Sequence, residues 1–92
     1  GVLSMKLIIA IIHDEDNDRV SATLNAEGIR ATFIASTGGF LRSGRSTLLI
    51  GLEEEKVERA LQILRENCTT GKEGKEKKAI VFVLNVQDYI QL

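Results

Sequence analysis

The sequence predicts an α+β domain in which two helices pack on one face of a four-stranded antiparallel sheet. Three observations carry this. Four short runs rich in Ile, Val and Leu have strand length, two intervening segments repeat apolar residues at helical spacing, and the six alternate in the order βαββαβ. At 92 residues the chain holds one domain. Residues 1–4 precede Met5, which resembles a natural start. They are expected to be a cloning remnant, with residues 5–92 forming the domain.

The first run, residues 6–12 (KLIIAII), is continuously apolar, as in a strand buried on both faces, and is expected at the centre of the sheet. HDEDND follows. Asp14 or Asp16 is expected to cap a helix over residues 16–27, where the acidic cluster suits the positive end of the helix dipole. Val20 and Leu24 give this helix an apolar side, and Gly28 ends it where a left-handed residue is favoured. Residues 30–35 (RATFIA) read as a second strand of mixed polarity, nearer an edge. After a glycine-rich loop, residues 47–52 (TLLIGL) form a third strand. Glu53, Glu54 and Glu55 then open a helix whose stripe is Val57, Ala60, Leu61, Leu64 and Cys68. Residues 69–78 (TTGKEGKEKK) contain no apolar side chain and read as a surface loop, and 79–86 (AIVFVLNV) form the last strand. This order is the split βαβ arrangement of ferredoxin-like folds.

Composition narrows the function classes. A net charge of −1 gives no bulk attraction to nucleic acid or to an anionic membrane. No apolar run approaches the roughly 20 residues needed to span a bilayer. The one cysteine, Cys68, has no partner for an internal disulfide, so a cytoplasmic protein is expected.

Within STGGFLRSGRST, residues 36–47, the run from Gly39 spells G-x-x-x-x-G-R-S, one side chain from a phosphate-binding P-loop. A P-loop opens a helix, whose N-terminal N–H groups hold the phosphate. Here TLLIGL follows, so the segment is a long connection between two strands. A bare hairpin needs glycines only for positive φ. This one also carries Arg42 and Arg45, with Arg30 nearby, hydroxyls on Thr32 and Thr37, and the Gly38-Gly39 pair, all suited to an anion. Phe40 adds a ring for a base to stack on, and the set points to a nucleotide. With four glycines in or beside it and few apolar anchors, the loop over 37–46 is expected to be mobile without ligand.

MKLIIAI, RATFIASTGGFLRSG, TLLIG and AIVFVLNV together resemble the PII-like cyclic-di-AMP receptor family of Gram-positive bacteria, with STGGFLRSG the most specific part. The resemblance covers residues 5–68 and 79–92. It implies a non-enzymatic signal-transduction protein, a homotrimer of ferredoxin-like subunits holding cyclic-di-AMP or a related adenine nucleotide between neighbours. Residue by residue, it implies ligand contacts from Arg30 and Thr32, a wrapping loop at Gly39, Phe40 and Leu41, close backbone approach at Gly51, and a ring beside the adenine at Phe82. Two features depart from the family pattern. Arg45 stands where similar receptors carry an asparagine, leaving it to bind phosphate or to block the base. The connection before the last strand is also shortened to TTGKEGKEKK.

Other candidates have plainer roles. His13, beside Asp14 and Asp16, reads as a strand-end residue rather than a metal ligand or base, and Cys68 as a small core residue. The lysines of 72–78 are diluted by Glu73 and Glu76. No metal site and no cofactor is expected, and a downstream protein is the remaining partner. Two alternatives share the fold: a small acylphosphatase-type phosphatase, and an interaction module that has lost nucleotide binding.

Overall fold

The computed structural model describes residues 4–35, 44–70 and 78–92. The elements run β1 (Met5–His13), α1 (Asn17–Ala26), β2 (Ala31–Ala35), β3 (Arg45–Glu53), α2 (Val57–Asn67) and β4 (Ala79–Val86), with 3-10 turns at Asp14–Asp16 and Glu54–Lys56 leading into the helices. The strands form one sheet in the order β2-β3-β1-β4, every pair antiparallel. This is the βαββαβ, ferredoxin-like arrangement that the sequence predicts, with β1 at the centre and β2 and β4 as edges.

Both helices lie on one face. Ile8, Ala10 and Ile12 of β1 and Leu48, Ile50 and Leu52 of β3 point toward Val20 and Leu24 of α1 and Ala60, Ile63 and Leu64 of α2, and all are buried. Each large aliphatic side chain so enclosed contributes about 1.5–3 kcal/mol. Cys68, just past α2, joins this core.

Helix α1 ends as its glycine requires. Gly28 has φ +78, its N–H donates to the Asn25 carbonyl at 3.0 Å, and the Ile29 N–H reaches back to Leu24 at 2.9 Å. Both Leu24 and Ile29 are core residues, so the hydrogen-bonded turn and an apolar contact close the helix together. The Arg59 guanidinium on α2 pairs with the Glu27 carboxylate beyond α1, and this contact holds the Glu27 carboxyl below its usual range.

Most element ends shift by a residue or two, and three differences from the sequence expectation matter for the site. β3 begins at Arg45 rather than Thr47. Gly44, at φ +78, completes the turn, and its carbonyl accepts from the Asp14 N–H at 2.9 Å, which brings Arg45 opposite His13. Arg45 and Ser46 are therefore buried strand residues and not part of a loop; the mobility expected for the rest of that loop concerns residues outside those described. The second correction concerns the start of α1, where neither Asp14 nor Asp16 makes a side-chain cap. Asp14 accepts a 2.6 Å hydrogen bond from the Ser46 hydroxyl. Asp16, fully buried, accepts from Arg19 at 2.7 Å and from the backbone N–H and hydroxyl of Thr69 at 2.8 and 3.1 Å. Arg19 also donates to the Asn67 carbonyl, so Asp16 and Arg19 clamp the start of α1 to the end of α2. Third, Glu53 ends β3 and Glu54 and Glu55 lie in the 3-10 turn Glu54–Lys56, so the helix proper starts at Val57.

Candidate ligand-binding site

The face of the sheet away from α1 and α2 carries the functional candidates that lie among the described residues. Side chains alternate along a strand. Leu7, Ile9 and Ile11 of β1 therefore share this face with Thr47, Leu49 and Gly51 of β3, and with Ile80, Phe82 and Leu84 of β4. One row crosses the whole sheet: Thr32, Leu49, Ile9 and Phe82 are successive cross-strand partners. The next row is Gly51, Leu7 and Leu84.

This face is not uniform. At the end near the β1–α1 turn, Ile11, Arg45 and Thr47 are buried, whereas toward the other end Leu7, Ile9 and Leu49 are half-buried and Gly51 is exposed. The open end contains a groove of about 270 Å³ lined by Met5, Arg30, Thr32, Leu49, Gly51 and Tyr89. Arg30 immediately precedes β2, and Thr32 lies two residues on and so faces the same side. Gly51 leaves the backbone of β3 uncovered, and a methyl group there would meet no atom within 4 Å. A glycine inside a strand weakens it and often marks where a ligand or another backbone comes close. The groove thus combines a cation and a hydroxyl, which suit a phosphate, with bare backbone, an aromatic ring and an aliphatic floor, which suit a flat base.

A second, wider cavity of about 800 Å³ adjoins it and shares Met5 and Tyr89. Lys6 and Asn85 line this cavity, and Lys6 bonds the Asn85 side chain and pairs with Glu54 at 3.3 Å.

Of the residues expected from sequence, the fold brings Arg30, Thr32 and Gly51 to one groove. Phe82 is on the same face and 50% exposed, yet lies three strand spacings from Thr32, about 14 Å. Arg45 sits at the far end of β3, six residues and roughly 20 Å from Gly51, and only 4% exposed. Gly39, Phe40 and Leu41 fall outside the described residues, as do Thr37, Gly38 and Arg42. Sequence reasoning missed Met5, Leu49 and Tyr89. The first two are hidden inside apolar runs that give no sign of which face opens, and Tyr89 belongs to a tail without periodicity. The acidic turn after β1 is committed internally, with Asp14 bound by Ser46 and Asp16 by Arg19 and Thr69. A phosphatase would need phosphate donors at that position.

Among the described residues, no group of three or more His, Cys, Asp or Glu side chains is arranged to hold a metal ion, and no helix is long and apolar enough to cross a membrane.

The fold recurs in known structures. A functionally unknown protein from Pediococcus pentosaceus ATCC 25745 superposes with a TM-score of 0.82 and 33% identity, over 99% of this chain and 100% of that one. Arabidopsis thaliana PII bound to citrate superposes with a TM-score of 0.71 at 21% identity, over 99% of this chain and 82% of that one, a likeness of fold. A family model described as cyclic-di-AMP receptor matches residues 5–76, which include β1, both helices, Arg30, Thr32 and Gly51. The chain belongs to the cyclic-di-AMP receptor family.

Proposed function

We propose that this protein is a non-enzymatic, cytoplasmic signal-transduction protein that binds cyclic-di-AMP, or a related adenine nucleotide, in the Arg30–Thr32–Gly51 groove, at the interface between copies of a homotrimer. The observation that carries the proposal is the convergence of these three residues on one open groove in a chain of the receptor family. Arg30 takes a phosphate through charge-assisted hydrogen bonds, Thr32 adds a hydroxyl, and the ligand lies close over Gly51.

The interface location rests on size and on apolar surface. At about 270 Å³ the groove falls below the roughly 300–1,000 Å³ of sites that enclose a drug-sized ligand, and a cyclic dinucleotide needs further walls. Beside the groove the same face exposes Phe82 (50%) and Leu84 (43%), a surface suited to a neighbouring copy. In such an assembly Phe82 reaches the ligand from another subunit, which reconciles its expected role with its distance from Thr32. Gly39, Phe40 and Leu41 complete the reading as the wrapping loop. Arg45, buried at the far end of β3, lies outside the groove and takes no part in this reading.

Calorimetry against cyclic-di-AMP, cyclic-di-GMP and ATP, with light scattering in parallel, tests this. The expected result is a trimer that binds cyclic-di-AMP in preference to the others, with Arg30→Ala weakening binding at least about tenfold and flattening its salt dependence. A folded trimer that gives no heat with any of the three ligands makes the chain an interaction module instead. A monomer at all concentrations removes the interface site.

A further inference from the structure

β4 ends at Val86, and the chain continues through residues 87–92 without regular structure. This segment carries Tyr89, Ile90 and Leu92, exposed by 60%, 76% and more. The fold gains little from these apolar groups, since none enters the core. Tyr89 is nevertheless placed specifically: it lines both the Arg30 groove and the wider cavity beside it, and among the described residues it is the one aromatic residue lining either. Phe82 lies about 14 Å from Thr32 across the sheet.

Resting on the function proposed above, we infer that Tyr89 is a ligand-positioning residue, and that the segment after β4 forms the wall of the nucleotide site opposite Arg30 and Thr32. The chemistry follows from what stands on each side of the groove. Arg30 fixes a phosphate through charge, and the Tyr89 ring offers a flat face to the attached base. A base stacked on an aromatic ring gains roughly 1–3 kcal/mol, and a ring that is more than half exposed in the free chain has surface to bury when ligand arrives. Tyr89 also lines both cavities, together with Met5. A ligand with two bases can place one on the Arg30 side and extend the other past Tyr89 toward Lys6 and Asn85, an arrangement closed to a mononucleotide.

The sequence supplies its own probe: there is one tyrosine and no tryptophan, so intrinsic fluorescence reports on Tyr89 alone. Cyclic-di-AMP should quench or shift this emission in step with the calorimetric titration. Tyr89→Ala should weaken cyclic-di-AMP binding at least about tenfold, whereas Tyr89→Phe, which keeps the ring, should stay within about threefold of the wild type. Because Tyr89 is outside the core, both variants should unfold at the wild-type temperature, which separates a binding effect from a folding one. If the wild type binds cyclic-di-AMP while its tyrosine emission stays constant and Tyr89→Ala binds equally well, the role of Tyr89 is refuted and the proposed function stands. If the wild type binds no cyclic-di-AMP, both fall.

Discussion

The two faces of this sheet are built from the same residue types and behave differently. On β1, Ile8, Ala10 and Ile12 alternate with Leu7, Ile9 and Ile11, and on β3, Leu48, Ile50 and Leu52 alternate with Leu49 and Gly51. The first set lies under two helices and is buried, most of it completely. Among the described residues no helix covers the second, and toward the Met5 end it opens into half-buried leucines and an exposed glycine. The lesson is that apolar content says a surface will be covered, and connectivity says by what. Two helices suffice for one face; the other is the one on which the proposed function places ligand and neighbouring copies.

The largest expected effect comes from breaking this contrast on its closed side. Ile50→Ala removes a fully buried side chain that packs between β1 and the helices and should cost about 2–5 kcal/mol in chemical denaturation. Leu84→Ala, on the open face and already 43% exposed, should cost under about 1 kcal/mol when measured on dilute, unassembled protein. Equal losses for the two variants would show that something within the chain covers both faces alike.

Next in size is the polar clamp that holds the closed face shut. Asp16→Ala leaves the Thr69 N–H and the Arg19 guanidinium without their buried acceptor, and should cost on the order of 3 kcal/mol. Hydrogen exchange should show the ends of α1 and α2 loosening together. Loosening at α1 alone would mean that Asp16 serves its own helix.

That clamp marks where sequence stops being legible. An acidic residue ahead of an apolar stripe reads as a helix cap, and nothing near Asp16 announces Thr69, which is 53 positions away. Local signals did locate every strand and both helices. Apolar runs and the 3.6-residue stripe of α2 depend only on neighbours, and Gly28 shows its left-handed φ in its identity. The first two residues of β3, Arg45 and Ser46, are polar and give no strand signal, and Ser46 is bonded to Asp14 across the β1–α1 turn. The site divides similarly. Arg30 and Thr32 share a side by strand period, so they were legible as a pair, whereas Gly51 came only from the family resemblance. Met5 and Leu49 were not legible, since alternation inside a fully apolar run cannot distinguish a covered face from an open one. Tyr89 depends on the path of a tail that no periodicity fixes.

A smaller, pH-dependent effect comes from Cys68, also on the closed side. Burial, reinforced by the nearby Asp16 carboxylate, pushes its thiol up to about 11 from an ordinary 9.0. The raised value means that the folded protein holds the proton more tightly than the unfolded chain. Stability is therefore full below about pH 9 and is lost as pH rises from there toward 11, by roughly 2–3 kcal/mol at the limit. The wild-type denaturant midpoint should fall relative to that of Cys68→Ala over that window, and the difference between them should stay constant below it. Rapid labelling of Cys68 by a thiol reagent at neutral pH would contradict the burial on which this rests.

The smallest effect on stability should accompany a large effect on function, at Gly51. Two glycines of this chain look alike in sequence and differ in what holds them. Gly28 sits at φ +78, so Gly28→Ala forces an alanine into the left-handed region and should cost about 1–2 kcal/mol, although no atom would crowd the new methyl. Gly51 has ordinary strand geometry and equally open surroundings, so Gly51→Ala should leave stability unchanged or raise it by up to about 1 kcal/mol, because alanine loses less conformational freedom on folding. The fold therefore has no use for a glycine at position 51. If the open face is where cyclic-di-AMP lies against the backbone, Gly51→Ala should weaken binding, and Gly51→Leu, which fills more of the groove beside Arg30 and Thr32, should weaken it further while remaining as stable as the wild type. Thermal unfolding and calorimetry on the same samples separate the two quantities. Should Gly51→Leu bind cyclic-di-AMP as the wild type does, the ligand does not approach β3 at this point, and the site has to be sought nearer Phe82, elsewhere on the open face.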